Sequence, residues 1–161
     1  MKLSSKTNIE RLGEWIELYQ ELLFRYAFFR LGNRDDAEDA LQDAFLKVAS
    51  SGREIRNPKA YLYSTVASIC VDMLRRRGKS LSIDEKITST QQSESQEAEE
   101  EFLRIDRLLR GLPEQQSEVI RLHIHANLKF TEIAEIMEQP VTTIKSRFTS
   151  GIEKLRKQFI N

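Results

Sequence analysis

Residues 131–148, near the C-terminus, constrain the fold most, because they have the pattern of two short helices separated by a turn at Pro140. Apolar residues recur at helical spacing on both sides of the turn: Ile133, Ile136 and Met137 before it, and Ile144, Phe148, Ile152 and Leu155 after it. Short helices are marginal alone, so both must pack on a third element. A third apolar stripe lies just upstream: Val119, Ile120, Leu122 and Ile124. The sequence therefore predicts a trihelical C-terminal unit.

The second helix of this pair has a polar face with a basic residue, formed by Thr142, Lys145, Ser146 and Thr149. Such a face is typical of a helix that enters the major groove of DNA. The alternative is an ordinary trihelical core with a solvated face, because short helical pairs are common in all-α domains.

The 161 residues include 25 basic and 25 acidic side chains, which excludes a globally basic nucleic-acid-binding protein. The charges are nevertheless segregated. Residues 75–79 hold four basic residues, whereas residues 84–101 hold seven acidic residues and a single lysine. One or two charges are enough to complement a helix end, so the basic cluster favours a polyanionic partner.

The sequence predicts no catalytic residue, metal site or cofactor. Cys70 is the only cysteine and lies in an apolar run, which favours a core position and excludes an intrachain disulfide. His123 and His125 are two residues apart and lack the spacing of a helical metal site. There is no phosphate-binding glycine loop or nucleophile elbow.

No apolar run reaches the length of about 18 residues that a membrane-spanning helix requires, and the N-terminus lacks an apolar signal core. We therefore expect a cytoplasmic protein without membrane insertion.

The first half of the chain has the pattern of three helices: residues 9–29, a second helix to about Ser50, and a third from Pro58 to about Arg77. The broad apolar face of the first helix includes Leu18 and Tyr26. Gly32 is a stop signal, and either Asn33 or Asp35 can cap the second helix. One face of the second helix is acidic and amide-rich, which by itself indicates ordinary surface: Asp36, Asp39, Gln42 and Asp43.

Residues 78–98 are rich in Ser, Thr, Gln and Glu and cannot bury enough apolar area to offset ordering of the backbone. We therefore predict an all-α protein with two small helical domains joined by a flexible acidic linker. The predicted domains are residues 1–78 and 99–161, with the linker at 79–98 and a helix-turn-helix in the second domain.

Several separated motifs, in order, resemble the extracytoplasmic-function (ECF) sigma factors of the bacterial sigma-70 family. The segment DAEDALQDAFLKV at 36–48 is similar to region 2.2 of that family, and residues 61–77 resemble regions 2.3 and 2.4. Residues 112–120, together with FTEIA at 130–134 and PVTTIKSRF at 140–148, resemble region 4. Several motifs in the right order are far more specific than a lone helix-turn-helix.

The resemblance implies a promoter-specificity subunit without enzymatic activity, which binds core RNA polymerase and directs initiation by reading the −10 and −35 elements and aiding strand opening. The implied partners are the largest-subunit coiled coil and the flap of core polymerase, promoter DNA, and an anti-sigma factor. The implied polymerase-binding residues are Asp36, Asp39, Gln42 and Asp43. The implied −10 residues are Arg53, Arg56, Asn57, Tyr61, Ser68, Arg75, Arg76 and Arg77. The implied −35 residues are Thr142, Thr143, Lys145, Ser146, Arg147 and Thr149.

The sequence departs from the family pattern at several positions. Tyr61 and Ser68 replace the usual tryptophan and asparagine, and Asn127, Glu138 and Thr142 replace glycines. Glu is costly in a left-handed turn position, so the sequence alone leaves open whether the turn at Glu138 has a different geometry. Residues 149–151 (Thr-Ser-Gly) lack the usual basic residue and, with Thr142, are where specificity is expected to differ from relatives.

Two other classes remain open. A stand-alone transcription factor with the same C-terminal module should lack the helix similar to region 2.2. A helical regulator that mimics a sigma domain should lack the basic cluster at residues 75–79.

Overall fold

The computed structural model describes residues 7–80 and 93–160, and every regular element in these two stretches is helical, as predicted. The helices are α1 (Asn8–Leu31), α2 (Arg34–Ser50), α3 (Pro58–Ser80), α4 (Ser93–Arg110), α5 (Glu114–Ile120), α6 (Phe130–Met137) and α7 (Val141–Ile160). A π-helical segment, Arg121–His125, continues α5. Most of the predicted linker, residues 81–92, lies outside the described residues, but its last part, 93–98, belongs to α4.

The turn between α1 and α2 follows the local sequence. Gly32 is left-handed with φ 88°, and its N–H donates to the Phe28 carbonyl at 2.7 Å. Asn33 caps α2, because its side-chain oxygen accepts from the Asp36 N–H at 2.7 Å. The structure therefore selects Asn33 over Asp35 as the cap, and the short turn brings α1 and α2 into close packing.

The N-terminal core lies among α1, α2 and α3. Its buried side chains include Trp15, Leu23, Tyr26, Ala37, Ala40, Leu41, Ala44, Val48, Leu62, Val66, Ile69 and Cys70. The prediction for Leu18 was wrong, since this side chain is 66% exposed. The apolar stripe of α1 is wider than the surface on which α1 packs, and Leu18 lies outside that contact.

The π-helical segment changes which side chains of the C-terminal unit are buried. The Ala126 N–H donates to the Arg121 carbonyl at 3.2 Å, five residues back. This wider turn shifts the helical register, so that Ile124 is 50% exposed while His125 is buried. The prediction that Ile124 belongs to the buried stripe was therefore wrong, because it assumed an uninterrupted α-helical period.

The turn of the helix-turn-helix keeps a left-handed residue. Glu138 has φ 55° and ψ 49°, and its N–H donates to the Ala134 and Glu135 carbonyls. The sequence left this geometry open, and the structure shows that the backbone adopts the left-handed conformation with a glutamate, as it does with Asn127 at φ 57°.

The two halves of the chain share one continuous hydrophobic core, a contact that the sequence did not predict. Buried residues of α1 and α3 form a single cluster with buried residues from 119–144. The Phe29 ring of α1 stacks on the His125 ring across this boundary, with centroids 4.1 Å apart. The Tyr26 and Tyr63 rings meet edge to face nearby, with centroids 6.3 Å apart.

A polar network that is buried except at Glu114, and which we call the Glu118 cluster, crosses the same boundary. It consists of Tyr26 and Arg30 of α1, Glu114 and Glu118 of α5, and Arg121. Tyr26 donates its hydroxyl hydrogen to the Glu118 carboxylate, and Arg30 Nη2 donates to Glu114 Oε2 at 2.8 Å. Arg30 Nε and Arg121 Nη1 lie 3.7 and 3.4 Å from Glu118 Oε1. Burial, and secondly the Glu118 charge, raise the pKa of Tyr26, so the phenol remains a donor.

A second polar contact joins α6 to the start of α3. Lys59 Nζ lies 2.8 Å from Glu132 Oε2, and Asn57 Nδ2 donates to Glu135 Oε1 at 2.7 Å. Partial burial raises the pKa of Glu132, but hydrogen bonds from Lys59 and the Lys129 N–H outweigh it, so the pKa is lowered. Glu132 is therefore charged at neutral pH.

Replacing Glu138 with glycine should stabilise the protein, because glycine relieves the strain of a left-handed non-glycine residue. We expect a gain of about 0.5–1 kcal/mol in the free energy of unfolding, measured by urea denaturation. Asn127→Gly is the matched control and should gain less, since asparagine tolerates this conformation better. A loss of stability in Glu138→Gly would contradict the strain at this turn.

His125 should make stability depend on pH. Burial, then the nearby Arg121 and Arg25, lower its pKa from 6.5 to about 4. The folded state therefore favours the neutral ring, and this contribution is complete above pH 6.5 and is lost as the pH falls towards 4. We expect the wild type to lose on the order of 1–3 kcal/mol more than His125→Phe between pH 7 and 4. Equal losses in parallel chemical denaturations would contradict this role.

Candidate polymerase and promoter interface

One exposed side of α2 carries most of the predicted polymerase-binding residues. Asp39, Gln42 and Asp43 are exposed and lie one turn apart on the helix. Leu46 continues this side and is 65% exposed, which sequence analysis missed although its spacing from Gln42 and Asp43 is helical. We call Asp39, Gln42, Asp43 and Leu46 the α2 face. It combines an exposed apolar side chain with acceptor groups, as a protein-binding surface requires.

Asp36 and Arg77 were assigned to different partners from sequence, yet the structure pairs them with each other. Arg77 Nη2 lies 2.7 Å from Asp36 Oδ2, and Arg77 Nη1 donates to the Leu31 carbonyl at 2.8 Å. The Asp36 side chain is 29% exposed and also accepts from Asn33. This arrangement ties the end of α3 to the turn between α1 and α2.

The loop between α2 and α3 holds the basic residues of the predicted −10 surface at fixed positions. Ile55 is buried and anchors the loop, while Arg53 and Arg56 are exposed. Asn8 Nδ2 of α1 donates to the Ser51 and Arg53 carbonyls at 2.9 and 3.1 Å. The two guanidinium groups therefore project from a backbone that two elements hold in place.

Asn57 and Tyr61 lie at the start of α3. Asn57 accepts from the Ala60 N–H at 3.1 Å through Oδ1, and its Nδ2 donates to Glu135. Tyr61 is half-buried. Asn57 is exposed and makes both of these hydrogen bonds within the chain, whereas Tyr61 packs partly against the core.

The remaining −10 residues lie further along α3. Ser68, Arg75 and Arg76 are exposed, and Arg76 forms an ion pair with Asp72 at 2.7 Å. These three residues and the α2 face line one cleft of about 780 Å³. The opposite wall of the cleft includes Glu114, Gln115 and Glu118 of α5 and Ile136 and Met137 of α6.

The predicted −35 residues lie at the start of α7, which we call the recognition helix. Thr142, Lys145, Ser146 and Thr149 are all exposed, in agreement with the predicted outward face, while Thr143 and Arg147 are half-buried. Ile144 is fully buried and fixes the rotation of the helix. The outward residues follow the spacing of one helical face, so all four can meet the same DNA groove.

Gly151 belongs to the packing of the recognition helix, so its interpretation as a specificity position was wrong. It is buried, and a Cβ there would lie 2.8 Å from Ile120 Cδ1. A larger residue there would force the Ile120 side chain of α5 to shift, so glycine suits this close approach.

His123 and Cys70 have structural roles. The His123 ring stacks on Phe130, with centroids 4.4 Å apart, and its Nδ1 is 2.8 Å from the Leu128 carbonyl. Cys70 is a core residue, and burial raises the pKa of its thiol to about 12, so the thiol is unreactive.

Within residues 7–80 and 93–160, no three His, Cys, Asp or Glu side chains are grouped as metal ligands. No helix in the described part of the chain is long and apolar enough to cross a membrane.

Two family matches cover most of the chain. Residues 15–80 match the family described as Sigma-70 region 2, and residues 102–155 match Sigma-70, region 4. The chain belongs to the sigma-70 family. A stand-alone transcription factor without region 2 is thereby excluded.

Curated relatives place this sigma-70 protein in the ECF group. It is 29% identical to RNA polymerase sigma factor SigV of Bacillus subtilis, over 87% of this chain and 86% of that protein. It is 26% identical to ECF RNA polymerase sigma factor SigW of the same organism, over 98% of this chain and 94% of that protein. The sigma factor is thus a promoter-specificity subunit of RNA polymerase.

Solved structures share the fold of this sigma factor. CnrH, in complex with the cytosolic domain of CnrY, superposes with a TM-score of 0.72, covering 93% of this chain and 88% of that chain at 19% identity. RpoE of Bartonella quintana, in complex with the anti-sigma factor NepR, gives 0.63 at 19% identity, covering 92% and 96%. The predicted all-α fold with region 2 and region 4 domains is confirmed.

Arg77→Ala should destabilise the protein, whereas Arg75→Ala should not. Arg77 holds a backbone carbonyl and a carboxylate that its loss leaves unpaired, so we expect about 1–3 kcal/mol in the free energy of unfolding. Arg75 is exposed, and its loss should change stability by less than about 0.5 kcal/mol. Urea denaturation of the two variants checks this difference, and equal effects would contradict a bracing role for Arg77.

Proposed function

We propose that the sigma factor directs initiation through three separate surfaces: the α2 face for core polymerase, the start of α3 with its preceding loop for the −10 element, and the recognition helix for the −35 element. The observation that carries this proposal is the exposure of the α2 face and of the outward face of α7 on different domains of one chain. A molecule with two such surfaces can hold polymerase and promoter at once.

The α2 face supports docking on the coiled coil of the largest polymerase subunit. Leu46 provides an apolar contact, and Asp39, Gln42 and Asp43 extend from it along the helix with groups that accept hydrogen bonds. An apolar centre with a polar rim is the usual anatomy of a protein interface. Asp36 contributes by placing Arg77 and the end of α3 against α2.

Recognition of the −10 element involves holding an unstacked base. Unstacking a base costs a few kcal/mol, so a surface that holds one reads sequence while it opens the duplex. Arg53 and Arg56 are exposed and can neutralise phosphates, and the half-buried Tyr61 supplies an aromatic ring for stacking on a base. Ser68, Arg75 and Arg76 extend this surface along α3.

The recognition helix reads the −35 element from the major groove. Lys145, Ser146 and Thr149 face the base edges, with Thr142 and Thr143 at the helix start. Arg147 is half-buried at the side of this face, which suits a phosphate contact. The flap of core polymerase supports this domain from its other side.

The mechanism is recruitment and strand opening in the cytoplasm, without covalent chemistry by the sigma factor itself. The two solved structures of similar fold are complexes with CnrY and with the anti-sigma factor NepR. We infer an anti-sigma factor as the corresponding partner here. The cleft between α2, α3, α5 and α6, with apolar side chains such as Leu46 and Met137 among acidic ones, offers it a binding place.

Lys145→Ala combined with Arg147→Ala should reduce −35-dependent run-off transcription by core polymerase at least tenfold, because contacts to bases and phosphates cost about 1–3 kcal/mol each. Co-elution with core polymerase should persist. The matched control is Lys154→Ala with Arg156→Ala, which removes two exposed charges farther along the same helix and should retain most activity.

Gln42→Ala combined with Asp43→Ala should give the opposite result, with co-elution lost and the fold intact by circular dichroism. Loss of core binding in the recognition-helix variant would show that the surfaces are misassigned. Failure of the wild type to initiate with any core polymerase would overturn the proposed function.

A further inference from the structure

The loop between α2 and α3 is held by a side chain from a distant part of the sequence. Asn8, in the first turn of α1, donates through Nδ2 to the Ser51 carbonyl at 2.9 Å and to the Arg53 carbonyl at 3.1 Å. The amide nitrogen carries two hydrogens, one for each carbonyl. A single side chain thus fixes the backbone on both sides of Gly52.

Gly52 is the residue of this loop with the widest choice of backbone conformations, because glycine has no Cβ. It is exposed, and a Cβ added to it would meet no atom within 4 Å. Side-chain packing therefore does not restrict its backbone. The bonds from Asn8 to the two flanking carbonyls supply this restriction, and the Arg53 N–H adds a bond to Ser51 Oγ at 3.2 Å.

Apolar packing places Asn8 beside the loop without help from its amide. Leu12, one turn further along α1, packs against the same hydrophobic cluster that contains Ile55 of the loop. Loss of the Asn8 amide should therefore leave α1 in position and release the backbone of residues 51–53.

A fixed loop benefits the proposed −10 surface. Arg53 is exposed at the end of the segment that Asn8 holds, and exposed Arg56 follows the buried Ile55. Holding an unstacked base already costs the free energy of unstacking, and ordering the loop at the same moment would add to this cost. A loop that is ordered beforehand also accommodates a wrong base less well, because its backbone cannot rearrange around it.

We propose that Asn8 is a positioning residue for recognition of the −10 element, which acts through the backbone of residues 51–53 and makes no base contact itself. The proposal rests on the proposed function, because it concerns the same −10 surface. It gives the start of α1 a role in promoter discrimination that is separate from the α2 face and from the recognition helix.

The experiment measures base preference as a ratio, which does not depend on the fraction of active protein. Holoenzyme assembled from core polymerase and the full chain selects heparin-resistant complexes from linear duplexes randomised at both the −10 and −35 elements. Sequencing of the bound DNA gives the preference at each position. In Asn8→Ala we expect the −10 preference to fall by about threefold or more, as loss of two hydrogen bonds to the backbone predicts, with the −35 preference unchanged.

Asn8→Asp is a sharper variant, because it keeps the shape of the side chain but turns a charged oxygen towards the two carbonyls in place of the donor. Its −10 preference should fall at least as far as that of Asn8→Ala.

Gly52→Ala provides a rescue that does not restore either hydrogen bond. The backbone at Gly52 is not left-handed and the space beside it is open, so alanine fits and narrows the conformations of the loop. Asn8→Ala combined with Gly52→Ala should therefore recover part of the −10 preference.

The matched control is Asn33→Ala, which removes another asparagine that bonds to the backbone, at the opposite end of α2. Loss of this cap should lower stability and keep both base preferences.

The outcomes separate the role of Asn8 from the proposed function. An unchanged −10 preference in both Asn8 variants, an equal fall at the −35 element, the same fall in Asn33→Ala, or no recovery with Gly52→Ala overturns the positioning role while the wild-type preferences stand. A wild-type holoenzyme without base preference at the −10 element overturns the proposed −10 surface itself. A fall confined to the −10 element and partly reversed by Gly52→Ala supports the positioning role.

Discussion

The pairing of Glu118 with Tyr26, Arg30 and Arg121 is the interaction on which the arrangement of this molecule depends. A guanidinium as buried as that of Arg30 is acceptable only beside a carboxylate, and the carboxylate belongs to the other domain. The Phe29–His125 stack and the continuous hydrophobic core join the two domains at the same boundary. The same contact that completes the interior of one domain thereby positions the other.

Much of the fold follows from the sequence because it is governed by local rules. Helical periodicity gave α1, α2 and α3 with ends within a few residues, and Gly32 marked the turn because only glycine takes that backbone conformation without strain. The departures have equally local causes. Because of the π-helical turn, His125 is buried and Ile124 is exposed. Glu138 has a strained left-handed backbone conformation that the surrounding helices impose.

The candidate site was predictable by residue type and less so by role. An exposed face such as that of Thr142, Lys145 and Thr149 follows from spacing on one helix. Pairings between distant segments do not, which is why Asp36 and Arg77 were assigned to separate partners and the contacts of Asn57 and Lys59 with α6 were missed. A charged side chain in a sequence shows what it can bind, and the fold decides whether the partner is DNA, another protein or a residue of the same chain.

The close approach at Gly151 has a consequence for how promoter preference can change. With Ile120 against its backbone, the recognition helix packs closely on α5, so the interior of the domain constrains the orientation of the helix. Substitutions at the exposed Thr142, Lys145, Ser146 and Thr149 leave this packing untouched, whereas a substitution at Gly151 disturbs it. The exposed side chains of the helix can therefore change while its packing on α5 is kept.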